Sequence, residues 1–327
     1  MRHFDADIWR DVTGGTLGER IRKLLRVTPL VPAPALSRRS GADVWLKLEN
    51  LQRTGSFKAR GASARLAALP PGTPVVAASA GNHGLGIAYA AAAFGLPASI
   101  LVPAETPRTK REGIAALGAK LEVFGKTYDQ AEAEARRRAA ADSNLVFVSP
   151  FDDDHVIAGN GGLLGRELLA QLPDVEIVVC PVGGGGLLGG LGVELAPRGI
   201  RLFGVEPEGN CAMYQSLEQK RALTEYTGGP TLAEGLEGAV AERTFRMAQD
   251  YCETVGLVSE SGIRRAIAYA YRTLGVMIEA SAAVSVAALL DDVLALSARR
   301  VVLVITGGNI EPDLLDQVLG GSTPVGI

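Results

Sequence analysis

Residues 74–102 read PVVAASAGNHGLGIAYAAAAFGLPASILV. A short apolar run, Val75–Ala78, leads through a small-residue turn into a helix over His83–Phe94 that Gly95 stops, and Ala98–Val102 is a second apolar run. The segments that follow repeat the pattern. Thr106-Pro107 supplies an N-cap and an N1 proline for a helix to Leu117, which Gly118 ends. Lys120–Phe124 reads as a strand, a helix lies near Tyr128–Ala140, and Leu145–Val148 is a further strand. Strand–helix repetition of this kind predicts a parallel sheet covered on both faces. The expectation is an α/β protein in which residues 74–149 form a small inserted domain. Residues 1–73 and 150–327 then form the larger one.

In that larger part Val156–Gln171 reads as a helix and Glu176–Cys180 as a buried strand, and a glycine run follows at once. Leu187–Leu195 is a helix and Arg201–Val205 another strand. After a Gly/Thr-rich loop near Thr227–Pro230, helices near Thr244–Cys252, Ile263–Leu274 and Ser281–Leu290 lead to a last strand, Val301–Ile305. A C-terminal regulatory domain is not expected.

With 327 residues the chain can bury two compact cores. The net charge of −3, with no basic block, argues against nucleic acid as a partner. The sequence has no apolar run of membrane-spanning length and no signal-like N-terminus. Cys180, Cys211 and Cys252 are too widely spaced for a disulfide framework or a metal pattern, so a reducing cytoplasm fits best. With His3, His83 and His155 as the histidines, a His-based metal centre has little to work with.

Three segments carry chemistry. In LENLQRTGSFKARG (48–61), Lys58 sits among a small hydroxyl, an aromatic ring and Gly/Ala residues. An amine there can approach a flat cofactor and lose hydration. Desolvation lowers its pKa and leaves more free amine, as an imine-forming lysine requires. Taken alone, such a lysine reads as a surface residue at a helix start.

In PVGGGGLLGG (181–190), amides of Gly183–Gly186 between a strand and a helix can point at a phosphate. Gly184, Gly186 and Gly189 also satisfy G-x-G-x-x-G, with Glu206 where a ribose-binding acid would stand, so a dinucleotide site fits that segment equally well. The Ser79-Ala80-Gly81-Asn82-His83 turn can hold a substrate carboxylate at a helix N-terminus. Asn82 also reads as a helix cap, and His83 as structural.

With Thr28-Pro29-Leu30, TGSFKARGA (54–62), ASAGNHGLG (78–86), PVGGGGLLGG and ITGGNI (305–310) in this order, the chain from about Arg26 onward resembles the fold-type II pyridoxal-phosphate (PLP) enzymes. Within them it is most similar to the serine/threonine dehydratases, a group that also includes serine racemases. The resemblance implies a tryptophan synthase β-like fold of two mostly parallel sheets flanked by helices. It makes Lys58 the lysine joined to PLP and Gly183, Gly184, Gly185 and Gly186, with Leu187, the phosphate cradle. It sets Asn82 on the phenolic oxygen, Thr306 at the pyridine nitrogen and Glu279 near the cofactor. Phe57 then packs against the lysine or simply fills core, and Glu279 also reads as a favourable charge at a helix start.

Thr306 stands where the family more often has serine. A hydroxyl is too weak an acid to keep the pyridine protonated, which favours prompt expulsion of a β-leaving group over transamination. Ala80 stands where the racemases carry a second serine, so reprotonation from the opposite face lacks a donor. Glu206 matches the first ligand of a divalent cation held by some members, but Ala212 replaces the third, and no tight metal is expected.

The implied activity is β-elimination of L-threonine or L-serine to a 2-oxo acid and ammonia, by a homodimer or homotetramer. Dehydration of 3-hydroxyaspartate, serine racemisation and, remotely, a dinucleotide-dependent oxidoreduction are the alternatives.

Overall fold

The computed structural model describes residues 3–296 and 299–320. The outer ends of the expected large domain, 1–2 and 321–327, and residues 297–298 lie outside the described residues. In chain order the strands are β1 (Leu30–Pro32), β2 (Asp43–Leu48), β3 (Val75–Ala78), β4 (Ala98–Val102), β5 (Lys120–Val123), β6 (Val146–Phe147), β7 (Ile177–Pro181), β8 (Arg201–Pro207), β9 (Cys252–Val258) and β10 (Arg300–Ile305).

They form two sheets, one of six strands in the order β1-β2-β10-β7-β8-β9 and one of four in the order β5-β4-β3-β6. Strands β1 and β2 pair antiparallel, and the other neighbours in both sheets pair parallel. The central strands β3 and β7 are buried along their whole length, as unbroken apolar runs in a doubly covered parallel sheet should be. At the edge of the small sheet, β5 reads KLEV and stays partly exposed. Among the described residues no helix is long and apolar enough to cross a membrane.

Ser79–His83 and Thr306–Asn309 follow directly on the C-terminal ends of β3 and β10, and Gly183–Gly186 follows that of β7 after Val182. In open parallel sheets that end is where ligands bind. The helix Lys58–Ala67 lies across the helix Asn82–Phe94 so closely that a Cβ on Gly86 would stand 3.0 Å from the Lys58 carbonyl oxygen. Gly61 donates its N–H to Asn160 Oδ1 at 2.8 Å, and a Cβ there would sit 2.6 Å from that oxygen.

Several elements differ from expectation. Pro107 has ψ 145° and forms the cap, with the helix starting at Arg108 and ending at Ala115. The Val156–Gln171 helix starts at Asp154 and contains a π-helical turn, Ala158–Gly162, that carries Asn160. Strand β9 was not foreseen, because the helical pattern of Glu242–Tyr251 runs straight into it at Cys252.

Glu206 is more than a strand-end acid. It is 1% exposed and accepts N–H bonds from Met213 (3.0 Å) and Tyr214 (2.7 Å) at the start of the helix Ala212–Gln219. Burial pushes its carboxyl up to about 8, against the pull of those two amides.

Candidate active site

Lys58 is the first residue of its helix, which is entered from Phe57. Its half-buried amine donates to the Pro150 carbonyl oxygen at 2.9 Å and lies 5.3 Å from the centre of the Phe57 ring. Desolvation pulls the amine from the ordinary 10.5 down to about 8, and the charge of Glu279 only partly offsets this. His83 is buried and donates from Nε2 to the Val148 carbonyl oxygen at 3.0 Å. Burial first, and the Lys58 charge second, push its pKa down to about 3. His83 is therefore a neutral structural group.

Thr306, 3% exposed, follows the end of β10, and its carbonyl accepts the Phe57 N–H at 3.0 Å. An isolated bridge between Ser56 and Gly307 extends that link, so the Lys58 segment is docked on the end of β10. Glu279 precedes the helix Ala280–Leu290 but its side chain caps nothing there. The carboxylate instead accepts from Asn82 Nδ2 at 2.7 Å. Burial raises its pKa, while the Asn82 bond and the Asn309 amide hold it back. A Cβ on Gly307 would meet Glu279 Oε1 at 2.3 Å, so this carboxylate needs a glycine beside it. Asn82 is not a cap. It lies inside the helix that Gly81 caps, and its amide spans Glu279 and Asn309.

In the Ser79–His83 turn, Ser79 Oγ accepts the Gly81 N–H at 3.2 Å, which leaves the hydroxyl hydrogen available. Ser79, Ala80, Gly81 and Asn82 are partly exposed, and a Cβ on Gly81 would meet nothing within 4 Å. This turn borders open space.

The glycine run is tightly built. Gly185 has φ +88° and caps the helix Gly186–Leu195, with Leu187 buried behind it. A Cβ on Gly183 would stand 3.1 Å from the Leu236 Cα, one on Gly184 2.3 Å from the Phe151 ring, and one on Gly186 2.7 Å from the Phe151 carbonyl oxygen. Within the run Gly183 and Gly184 are partly exposed, and Gly185 and Gly186 are buried. Gly183 and Gly184 lie just before the positive end of a ten-residue helix, a setting in which backbone amides can hold an anion.

Sequence reasoning missed three contributors. Phe151 lays its ring on Gly184, and the neighbouring Pro150 carbonyl holds the Lys58 amine. Asn309 joins the Asn82 amide at 2.6 Å. The third is a buried ionic cluster behind Lys58. Arg60 bonds Glu49 at 2.7 and 2.8 Å and Glu167 at 3.0 and 3.1 Å. Lys47 reaches Glu167 (2.5 Å), Gln171 (2.7 Å) and the Thr28 carbonyl (2.8 Å). Burial would raise Glu167, but Arg60 and Lys47 overcome it and hold the carboxylate below its usual range. Arg60 stands two residues from Lys58, so the SFKAR spacing was the available signal; the burial of its partners was not.

A family model described as "Pyridoxal-phosphate dependent enzyme" matches residues 21–307. The chain is 39% identical over 305 residues to the L-threonine ammonia-lyase of Thermotoga maritima, an alignment covering 91% of this chain and 75% of that protein. Among solved structures it is similar to the T.th. threonine deaminase, with 33% identity and a TM-score of 0.85 over 94% of this chain and 99% of that one. Maize serine racemase superposes with a TM-score of 0.88 at 27% identity, over 98% of both chains.

Proposed function

The chain belongs to the pyridoxal-phosphate dependent enzyme family, and from that premise we propose that it eliminates the β-hydroxyl of L-threonine or L-serine, releasing a 2-oxo acid and ammonia. The observation that carries this reading is Lys58. Its amine is half-buried, drawn down to about 8 within reach of the Glu279 charge, and carried on a segment whose Phe57 N–H bonds Thr306 at the end of β10.

These residues fit pyridoxal phosphate. The cradle has no room for a Cβ at Gly184 or Gly186, and its amides suit a phosphate. Lys58 offers an amine with a raised neutral fraction for covalent attachment, and Asn82 an amide for the phenolic oxygen. The Thr306 hydroxyl suits an unprotonated pyridine nitrogen. When bound, the cofactor supplies an electron sink for the pair left at the substrate α-carbon.

The chain's own residues do the rest. The Ser79–His83 turn holds the substrate carboxylate at the N-terminus of the helix Asn82–Phe94. Lys58, its amine free once substrate is bound, takes the α-proton as general base. The β-hydroxyl takes up a proton and leaves as water, and the enamine released from the site is hydrolysed to the 2-oxo acid and ammonia. Ala80 offers no hydroxyl for reprotonation on the opposite face, which favours elimination over racemisation.

On this reading residues 74–149 form a small domain inserted in the larger one, and the active form is a cytoplasmic homodimer or homotetramer. The three cysteines are free thiols, in keeping with a reducing compartment. The test is a panel of β-hydroxy amino acids, threonine, serine and 3-hydroxyaspartate among them, scored for 2-oxo acid and ammonia. Release of both from threonine or serine supports the proposal. Racemisation without ammonia, or turnover of 3-hydroxyaspartate alone, overturns it.

A further inference from the structure

A line of side-chain amides links the turn at Thr54 to the start of the helix Asn82–Phe94 and on to Glu279. Asn309 Nδ2 donates to the Thr54 carbonyl oxygen at 2.8 Å and to Asn82 Oδ1 at 2.6 Å. Asn82 Nδ2 in turn donates to Glu279 Oε1 at 2.7 Å. The backbone is shaped to permit this. Thr54 sits at φ +62°, a region a threonine rarely adopts, and Gly55 follows at φ +75°. A Cβ on Gly55 would stand 2.3 Å from Asn309 Oδ1, and Gly55 accepts the Gly308 N–H at 3.0 Å.

The orientation of an amide is fixed by its partners rather than by its shape. Here the chain of partners has a unique solution. A backbone carbonyl only accepts, so the face of Asn309 turned to Thr54 is the amino group. The second hydrogen of that amino group points at the Asn82 side chain, so the atom receiving it is Oδ1. Asn82 then turns its own amino group toward Glu279, whatever the protonation of that carboxyl. Its acceptor and one of its two hydrogens are used. One N–H remains.

We infer that Asn309 is a positioning residue that locks Asn82 as a pure hydrogen-bond donor toward the cofactor's phenolic oxygen, holding that oxygen in its ionised form. The inference rests on the reading that Asn82 faces pyridoxal phosphate. Burial favours the protonated form of Glu279, which can donate as well as accept, so beside Glu279 alone the Asn82 amide could present either its oxygen or its nitrogen to the cofactor, and an oxygen there would repel a phenolate. Asn309 removes the choice.

Asn309→Asp reverses the polarity of the relay, because a carboxylate repels both the Thr54 carbonyl and Asn82 Oδ1. Asn309 is exposed, so neither this variant nor Asn309→Ala opens a buried void. Three measurements are made on the wild type, Asn309→Asp, Asn309→Ala, Asn82→Ala and the double variant Asn82→Ala/Asn309→Asp. They are the melting temperature of the cofactor-free protein, the cofactor dissociation constant from fluorescence titration, and the absorbance of the loaded protein against pH.

Loss of one charge-assisted bond weakens cofactor binding roughly tenfold to a hundredfold, and moves the loaded protein from the long-wavelength ionised band to the near-ultraviolet neutral one. Asn309→Asp and Asn82→Ala should show the same shift, and the double variant no more than Asn82→Ala alone. An additive double variant, or an Asn309→Asp spectrum like the wild type's while Asn82→Ala shifts, overturns the inference. If Asn82→Ala itself leaves the spectrum unchanged, the placement of Asn82 on the cofactor has failed, and the inference with it.

Discussion

Replacing Arg60 by methionine keeps most of the length of the side chain and removes a guanidinium that is 2% exposed. Glu49, 0% exposed, loses its bonds at 2.7 and 2.8 Å and keeps the Thr28 hydroxyl at 2.5 Å as a neutral donor. Glu167 loses two bonds but keeps Lys47. Two carboxylates then share one ammonium inside the protein, and an unmatched buried charge remains. Removing one partner from a buried pair costs about 3–5 kcal/mol, chiefly because the other charge is stranded. For a chain of this size that corresponds to a fall in melting temperature on the order of 10 °C.

Thermal melts of the wild type and Arg60→Met across pH read the effect directly. Glu167, which Arg60 and Lys47 hold below its usual range, loses part of that stabilisation above its unfolded pKa, and the difference fades as acid protonates the carboxyl in both proteins. The variant's deficit should therefore be smallest in acid. Adding Glu49→Gln should recover part of the loss, since a glutamine there carries no charge. An Arg60→Met protein that melts with the wild type at neutral pH, or a deficit that grows in acid, would refute the reasoning.

Lys58→Met should stabilise the cofactor-free protein. The amine's pKa falls from 10.5 unfolded to about 8 folded, so at neutral pH its charge costs up to about 3 kcal/mol. The wild type regains that amount as pH rises through this window, so melts at pH 7 should separate the two proteins and melts above the window should not. Glu206→Gln should flatten the stability profile between the unfolded 4.5 and the folded value of about 8, the range in which the wild type loses stability as pH rises. Denaturant titrations at several pH values check the sign, and parallel profiles would count against it. Gly184→Ala should weaken cofactor binding and displace Phe151, because the new Cβ would lie 2.3 Å from its ring, whereas Gly81→Ala, which meets nothing within 4 Å, should melt like the wild type. Fluorescence titration with the cofactor and thermal melts distinguish the two glycines.

The parallel architecture was legible because its signals are local. Val75–Ala78 and Ile177–Pro181 are short apolar runs followed by small-residue turns, and Gly95 stops a helix at φ +66° where it was expected to. The glycine run was legible for the same reason, since strand, glycines and helix are contiguous. What stayed hidden depends on residues far apart in the chain. Arg60 and Glu49 look like ordinary surface charges until Glu167 and Lys47 close around them, and the bond between Arg60 and Glu167 spans 107 positions. Asn309 looked like the tail of a motif until Thr54 and Asn82, 255 and 227 positions away, fixed its amide. Strand β9 failed for a subtler reason. CETVGLV shows no clean alternation and begins directly where an amphipathic helix ends, so Cys252 leaves no break to read.

Borohydride reduction of the purified protein, followed by proteolysis and mass spectrometry, reports which amine carries the cofactor. A pyridoxyl mass on the peptide containing Lys58, absent from Lys58→Met, is the expected result. The same mass on any other lysine, or a yellow protein that reduction leaves unlabelled, would contradict the account.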